Sequence, residues 1–398
     1  MTSAPRAVGT APRLLMASTQ HWDSPFQVGS HHIARAFARR GWRVAFLGAP
    51  VQPAHLLGAG LDARQRVSAW RRGGTTDPAT GIWHHVPFAP LPWGASRGRR
   101  GRQWVRLAWA LARPGLAATL RAEGFATPEL ACTDHFLHEG LLRAAVARWT
   151  VYRRADDPAT MPGAGPDFAA RDLDFARRAA LTVCPTRSAA AGLAAAGITS
   201  PMVLPNGVDL DRFLAAAAPP PEYAADGRPV AIYVGADDHR FDAALLAHVA
   251  NAVPQLRWVV VGQVGERSAG TLRSAGVDLL GPQPHAALPA YLQHARLGLV
   301  PFRLDSAGAS LRDVNPLKVL EYAASGLPVV ATTGCSFPAD LPTPLHLCNT
   351  AEGFVSAVRQ VLAVPPPQRP DPAALAPFGW DARLAPLFNW LAQRGLPA

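Results

Sequence analysis

Residues 313–330 read Asp313-Val-Asn-Pro-Leu-Lys318-Val-Leu-Glu321-Tyr-Ala-Ala-Ser-Gly326-Leu-Pro-Val-Val, and their reading decides the architecture. Pro316 ahead of apolar residues at helical spacing marks the first turn of a helix. Gly326 marks its stop, and Leu-Pro-Val-Val-Ala-Thr reads as a buried strand directly after it. The start of such a helix offers free backbone N–H groups and the positive end of a dipole, which together make an anion site. Lys318 falls in that first turn, placed to meet a diphosphate. Glu321 lies three residues on, on the same face, where a carboxylate can accept hydrogen bonds from a ribose diol. The chain contains one lysine, Lys318, among 39 basic residues. Lysine is a compact point charge on a flexible stem and arginine a planar fork, so a lysine kept at this position points to a tight phosphate contact. The competing reading is a capped surface helix with a Lys–Glu pair.

Strands and helices alternate on both sides of this stretch. Upstream, residues 230–236 and 257–263 read as strands, with a helix between them over 242–253. A short strand at 277–281, a helix at 287–295 and a strand at 297–302 follow. Gly235 and Gly262 close two of these strands, where a glycine lets backbone approach a nucleotide. Downstream come helices over 353–364 and 381–395. The N-terminal half opens the same way: a strand at 13–19, a helix near 31–40 closed by Gly41, and a strand at 42–50. That βαβ unit implies a parallel sheet. Residues 71–102 read as irregular and 103–122 as helical. Residues 129–133 and 149–153 read as strand ends, and 181–185 and 201–208 as strands. The run AAAAPPPEYAADGRP at 215–229 is the best linker. The expected fold class is α/β, two doubly wound Rossmann-like domains facing a cleft, spanning 1–214 and 215–378, with ligands outside the carboxyl ends of the strands.

Composition excludes several classes. Hydrophobic residues are 49% and charged residues 17%, a globular balance. No run reaches the ~18 apolar residues of a membrane span. The N-terminus has no long apolar stretch with a cleavage site, so no signal peptide is read. Cys132, Cys184, Cys335 and Cys348 form no CxxC pair and read as thiols of a reducing cytoplasm. The net charge of +11 attracts polyanions, unless it only reflects diffuse arginine usage.

The pattern N-P-L-K-x-x-E-Y-x-A-x-G-x-P-V-V resembles the nucleotide-sugar half of GT-B glycosyltransferases. The superfamily's pair of acids eight residues apart is met by Asp313 and Glu321. Asn315 and Phe302 fall in the same donor region. The stretch Leu204-Pro-Asn-Gly207-Val-Asp209-Leu-Asp-Arg-Phe213 resembles the interdomain segment of these enzymes, whose last helix often returns to the first domain. That habit assigns residues 379–398.

Three further segments resemble the GumK-like β-glucuronosyltransferases of xanthan-type polysaccharide assembly. They are Ser18-Thr-Gln-His21-Trp-Asp-Ser-Pro25-Phe-Gln-Val-Gly29-Ser-His-His32, Val151-Tyr152-Arg153-Arg-Ala-Asp156-Asp157, and Gly281-Pro-Gln-Pro-His285-Ala286 followed by residues 291–302. The resemblance implies inverting transfer of glucuronate from UDP-glucuronate to a polyprenyl-diphosphate-linked glycan. It also implies Asp156 as catalytic base, with adjacent Asp157 as the alternative. One carboxylate suffices to take the acceptor proton, and positive charge with helix N–H groups serves the leaving UDP, so no metal and no cofactor are expected. The bland reading of Asp156-Asp157-Pro158 is a turn. His31 and His32 begin the first helix and border the acceptor side; with no Cys or carboxylate at ligand spacing they are not metal ligands. His285 and Arg296 match the family in type. The chain departs from it at Ala190, where an acid is usual, at Glu321, which replaces an amide, and at Phe302, which replaces a tyrosine. Rival readings are a retaining GT-B hexosyltransferase, a GT-B-fold nucleotide-sugar epimerase and a noncatalytic sugar-nucleotide-binding protein.

Residues 97–113 read RGRRGRQWVRLAWALAR. On a helix from 102, Arg102, Arg106 and Arg113 share one face, and Trp104, Leu107 and Leu111 another. With Arg99 and Arg100, and with Trp93 and Arg97 close by, this is the pattern of an interfacial helix on anionic lipid. The expected location is cytoplasmic, peripheral on the inner face of the plasma membrane. No nucleic-acid-binding motif appears, so no nucleic-acid partner is expected.

Overall fold

The structure is a computed structural model that describes residues 11–58, 60–92, 101–161, 164–165, 167–225, 227–303, 309–366 and 369–397. The chain folds into two compact units. The first comprises Met1–Cys184, Ala190–Leu204 and Leu384–Ala398; the second comprises Pro185–Ala189 and Pro205–Arg383.

The first unit is built on strands β1 (Arg13–Ser18), β2 (Arg43–Gly48), β3 (Thr75–Thr76), β4 (Trp83–His85), β5 (Leu130–Thr133), β6 (Trp149–Arg153), β7 (Leu181–Cys184) and β8 (Met202–Val203). Their order across the sheet is β3-β4-β2-β1-β5-β6-β7-β8. All pairs are parallel except β3–β4 at the edge. The chain reverses its winding between β1 and β5, and Leu14 pairs Leu130 there. The end of the last helix, Trp380–Ala392, belongs to this unit from Leu384 onward. Phe388 packs on Phe37 at 4.8 Å between ring centroids, and Trp390 meets Trp149 at 5.9 Å.

The second unit carries β9 (Val230–Val234), β10 (Arg257–Val261), β11 (Val277–Gly281), β12 (Leu297–Val300), β13 (Val329–Thr332) and β14 (Leu345–Cys348), ordered β11-β10-β9-β12-β13-β14 and all parallel. This is the doubly wound order with its switch point between β9 and β12. β12 and β13 are buried along their whole length, as apolar runs covered on both faces must be. Tyr322 locks the helix Leu317–Ala324 onto the sheet. Its hydroxyl accepts from Val234 N–H at 2.9 Å and its ring fills the space over Gly298, where an added Cβ would clash.

Several local expectations change. Residues 71–102 contain the end of the helix Leu61–Arg72 and strands β3 and β4, short elements held by pairing, β4 to β2 and β3 to β4, rather than by their own pattern. The helical stretch 103–122 is two helices, Gly101–Ala110 and Leu116–Ala122, separated at Pro114, which cannot continue the first. The strand over 201–208 shrinks to β8. Strand β14 and the helices Phe168–Arg178 and Arg187–Ala195 are not read from sequence. β14 is an edge strand, mostly part-exposed, with little apolar signal.

Candidate functional site

The donor-side residues gather at the carboxyl edge of β9 and β12 in the second unit. The helix Leu317–Ala324 begins just after Pro316, so Lys318 lies in its first turn. Its Nζ sits 4.1 Å from the ring centroid of Tyr233, at the end of β9, and 5.1 Å from that of Phe302, just past β12. The ring of Phe241 stacks on Tyr233 at 4.6 Å, and the backbone of Phe241 forms a β-bridge with that of Phe302. Gly235 has φ +150°, and a Cβ there would fall 2.6 Å from Lys318 Nζ. The lysine therefore lies against bare backbone. Gly262, at the end of β10, has φ +153°, and a Cβ on it would strike the Gly235 carbonyl. Both glycines belong to a close backbone approach that any side chain would block.

Burial pushes the Lys318 ammonium down to about 8, against the attraction of Asp238. Among the described residues no carboxylate lies within ion-pair distance of its Nζ. The N–H groups of Leu317 and Lys318 likewise make no hydrogen bond among those residues, the ordinary state of an open helix start. Asp238 is bound by Arg240 at 2.6 Å. Its own burial favours the neutral acid, but Arg240 and Lys318 outweigh this and hold the carboxyl below its usual range. A desolvated ammonium, a neighbouring guanidinium and open helix N–H groups are the equipment of a phosphate site.

Glu321 is buried one turn along the same helix. His285 Nε2 lies 2.8 Å from its Oε1, and His285 Nδ1 lies 3.3 Å from Arg212 Nη1. Arg212 in turn pairs with Asp209 at 3.2 Å. The Asn315 side chain is hydrogen-bonded to backbone. Its Oδ1 accepts from Asn206 N–H at 2.9 Å and its carbonyl accepts from Asn206 Nδ2 at 2.6 Å. It ties the donor loop to the stretch 204–209. Asp313 precedes it, with Oδ1 buried and no hydrogen-bond partner among the described residues. Tyr233, Asp238 and Arg240 are missed by sequence reasoning. The signal available was their place directly around Gly235 at a strand end.

The candidate base lies in the first unit, at the end of β6. Tyr152 donates to Asp172 Oδ1 at 2.5 Å, and Arg154 pairs with Asp172 at 2.7 Å and with Asp157 at 2.7 Å. Asp157 also caps the short helix Pro158–Thr160, accepting from Ala159 N–H at 3.0 Å. Its carboxylate is committed to the turn. Asp156 is the neighbour outside that cap, within electrostatic reach of buried Arg153. Arg153 packs against Gly29 at the start of the helix Gly29–Arg39. Asp134 lies at the β1/β5 switch point and accepts from Ser18 Oγ at 2.5 Å, Thr19 N–H at 3.0 Å and Ser30 Oγ at 2.8 Å. Burial pushes its carboxyl up. Sequence reasoning missed Asp134 and named Arg153 within the quoted segment without a role, because both placements depend on which strands become neighbours.

His31 and His32 are both buried at the start of that helix. His31 Nδ1 accepts from Val28 N–H at 3.2 Å, and its Nε2 donates to the His21 carbonyl at 3.0 Å. Burial pushes this imidazole down to about 3, so it is a neutral brace of the helix start. Among the described residues no group of three or more His, Cys, Asp or Glu side chains is arranged to hold a metal ion.

In the helix Gly101–Ala110, Arg102 and Arg106 turn inward. Both bind Glu139, at 2.8 and 2.7 Å, and Arg178 joins them at 3.0 Å. Burial alone favours the neutral acid, but the arginines outweigh it and hold Glu139 at about 2. The outward side carries Trp104, 40% exposed, and Leu107, 45% exposed. Two arginines of the basic side expected to meet lipid are thus part-buried on Glu139, while Arg113 is exposed and Trp104 and Leu107 form an exposed apolar side. Trp93, Arg97, Arg99 and Arg100 lie outside the described residues. Among the described residues no helix is long and apolar enough to cross a membrane.

Comparison with known proteins fits this geometry. Residues 16–111 match the family model "Glucuronosyltransferase GumK, N-terminal domain" and residues 228–363 match "Glycosyl transferases group 1". The UDP-glucuronate:glycolipid 2-beta-glucuronosyltransferase of Xanthomonas campestris pv. campestris is 27% identical over 218 residues, which are 54% of this chain and 50% of the relative. The chain thus spans about half the length of that curated relative. Sucrose-phosphate synthase from Thermosynechococcus elongatus superposes with a TM-score of 0.66 at 15% identity, covering 96% of this chain and 99% of that one. HepE of Anabaena, solved with UDP and glucose, superposes with a TM-score of 0.63 at 14% identity, covering 96% and 100%. With residues of its first unit matching a GumK-type domain and residues of its second matching a group 1 domain, the chain is similar to the GumK-like glycosyltransferases and has the GT-B fold.

Proposed function

We propose that the protein transfers a sugar, glucuronate, from UDP-glucuronate to a glycan carried on a polyprenyl diphosphate, with inversion. The observation that carries this reading is Lys318, a desolvated ammonium over Tyr233 and Phe302 at the β9/β12 switch point, beside a helix start with open N–H groups. The donor identity is supported by the name of the Xanthomonas relative, and the nucleotide by the UDP in HepE.

In the proposed step, an acceptor hydroxyl oxygen forms a bond to the anomeric carbon while the bond from that carbon to the diphosphate breaks. The hydroxyl proton passes to the Asp156 carboxylate. Asp156 is preferred to Asp157 because the latter is held by Arg154 and by its cap. The electron pair leaves with UDP, whose growing charge is met by Lys318 and the N–H groups of the helix start. Those groups supply the neutralisation, so the reading assigns no metal a role. The protein would act peripherally at the inner face of the plasma membrane. A glycolipid acceptor in the relative's name and the exposed Trp104 and Leu107 support this.

The test is a transfer assay with labelled UDP-glucuronate and a polyprenyl-diphosphate-linked oligosaccharide, with EDTA present. Label in the lipid fraction with the wild type, and none with Asp156→Asn, is expected. Release of free glucuronate alone, or activity only with another sugar nucleotide, would discard the glucuronate reading.

A further inference from the structure

Glu321 is held by a relay that reaches back to the stretch 204–213, and the hydrogen-bond directions along it are fixed by chemistry. Arginine only donates, so Arg212 Nη1 donates to His285 Nδ1, which therefore carries no proton. The imidazole proton is then on Nε2, which donates to Glu321 Oε1 at 2.8 Å. Phe213 stands edge-on to the His285 ring at 5.6 Å and limits its rotation. Asp209 holds Arg212 from the far side at 3.2 Å. One lone pair of Glu321 Oε1 is thereby taken. No donor among the described residues bonds the other oxygen, Oε2. The relay holds the carboxylate in one orientation, with Oε2 presented away from His285.

We infer that His285 is a positioning residue for nucleotide recognition: through Glu321 it sets the discrimination between a ribose and a deoxyribose in the donor. This rests on the reading of Lys318 and Glu321 as a nucleoside-diphosphate site. An unbraced carboxylate on a short helix would sample several rotamers, and its hydrogen bond to a sugar hydroxyl would carry an ordering cost. The brace removes that cost. It acts on the sugar hydroxyls alone, because the diphosphate is met by Lys318 on another part of the helix.

The experiment is calorimetric titration of the full chain with UDP, 2′-deoxy-UDP and 3′-deoxy-UDP. The wild type is expected to prefer UDP over at least one deoxy analogue by about tenfold, the size of one charge-assisted hydrogen bond. His285→Ala is expected to lose most of that preference, with UDP weakened about five- to tenfold and the deoxy analogue unchanged. His285→Gln can accept from Arg212 and donate to Glu321, and is expected to keep the preference. Lys318→Ala should weaken all three ligands alike. An undiminished preference in His285→Ala overturns the inference. A wild type that binds all three equally overturns the ribose contact of Glu321, and the relay's role with it. A wild type blind to every nucleotide overturns the donor site itself. Should His285→Ala lose thermal stability and all binding together, His285→Gln decides: a kept preference supports the relay and a lost one overturns it.

Discussion

Lys318 Nζ lies 4.1 Å from the ring centroid of Tyr233, a residue 85 positions earlier near the end of the first strand of the second unit. The contact places the chain's one lysine on an aromatic surface and against the bare backbone of Gly235, with burial pushing its ammonium down to about 8. A cation held this way costs stability until an anion arrives. Lys318→Met is therefore expected to raise the melting temperature of the ligand-free protein by about 2–4 °C, near 1 kcal/mol for a domain of this size. The same change should weaken UDP binding by at least about tenfold, 1.4 kcal/mol. Scanning calorimetry and titration on one preparation read both, and a melting temperature that falls while UDP affinity stays unchanged would make Lys318 a structural residue.

The same group gives binding a pH dependence. An arriving diphosphate favours the protonated lysine and raises its folded-state value above about 8. UDP affinity should hold steady from pH 6.5 to 7.5 and fall as pH rises through 8, by up to about tenfold per unit. The ligand-free protein behaves oppositely. Its folded lysine deprotonates near 8 and its unfolded lysine near the ordinary 10.5, so the unfolded chain binds more protons between those values and this group adds stability as pH rises across them. Titrations from pH 6.5 to 9.5 check the first effect. A flat wild-type profile through pH 9, or a fall that persists unchanged in Lys318→Arg, would contradict it.

The two carboxylates after β6 should separate cleanly. Asp156→Asn is expected to lower turnover by about 10²–10⁴-fold with UDP affinity intact, as removal of a general base does. Asp157→Asn should keep most activity and lose about 0.5–2 kcal/mol of stability, because its carboxylate caps Pro158–Thr160 and pairs with Arg154. Turnover and melting temperature for both variants provide the check. Reversed results would move the base to Asp157.

The helix Gly101–Ala110 makes a different separation. Trp104→Ser with Leu107→Ser removes the exposed apolar side and should reduce sedimentation with vesicles of phosphatidylglycerol and phosphatidylcholine. Arg102→Gln with Arg106→Gln strips two partners from Glu139 and should lower the melting temperature by about 2–4 °C, with smaller loss of vesicle binding. Equal sedimentation of the apolar variant and the wild type would reject this helix as the lipid-facing element.

The donor side was legible because its residues lie close along the chain. Pro316, Lys318, Glu321 and Gly326 sit within eleven residues, and the helix they announce is where the spacing puts it. Gly235 and Phe302 were readable as strand ends, since apolar runs closed by a glycine or a proline announce themselves. What escaped depends on strand neighbours. Tyr233 reads as one more core aromatic until β9 and β12 pair, and Asp134 reads as a loop acid until β5 lies beside β1. The inward turn of Arg102 and Arg106 was hidden for the same reason, because Glu139 is more than thirty positions away. Asn315 reads as a donor-region residue from its place beside Lys318. Its amide oxygen fastening the loop to Asn206 could not be read from that place.

The most direct measurement is a thermal-shift panel of UDP, UDP-glucuronate, UDP-glucose, UDP-GlcNAc, GDP-mannose and ADP, without added metal, on the wild type and on Lys318→Ala. The expected result is stabilisation by UDP and UDP-glucuronate above the others, with both shifts lost in Lys318→Ala. No shift with any nucleotide, or equal shifts in the two proteins, would contradict a donor site built on Lys318.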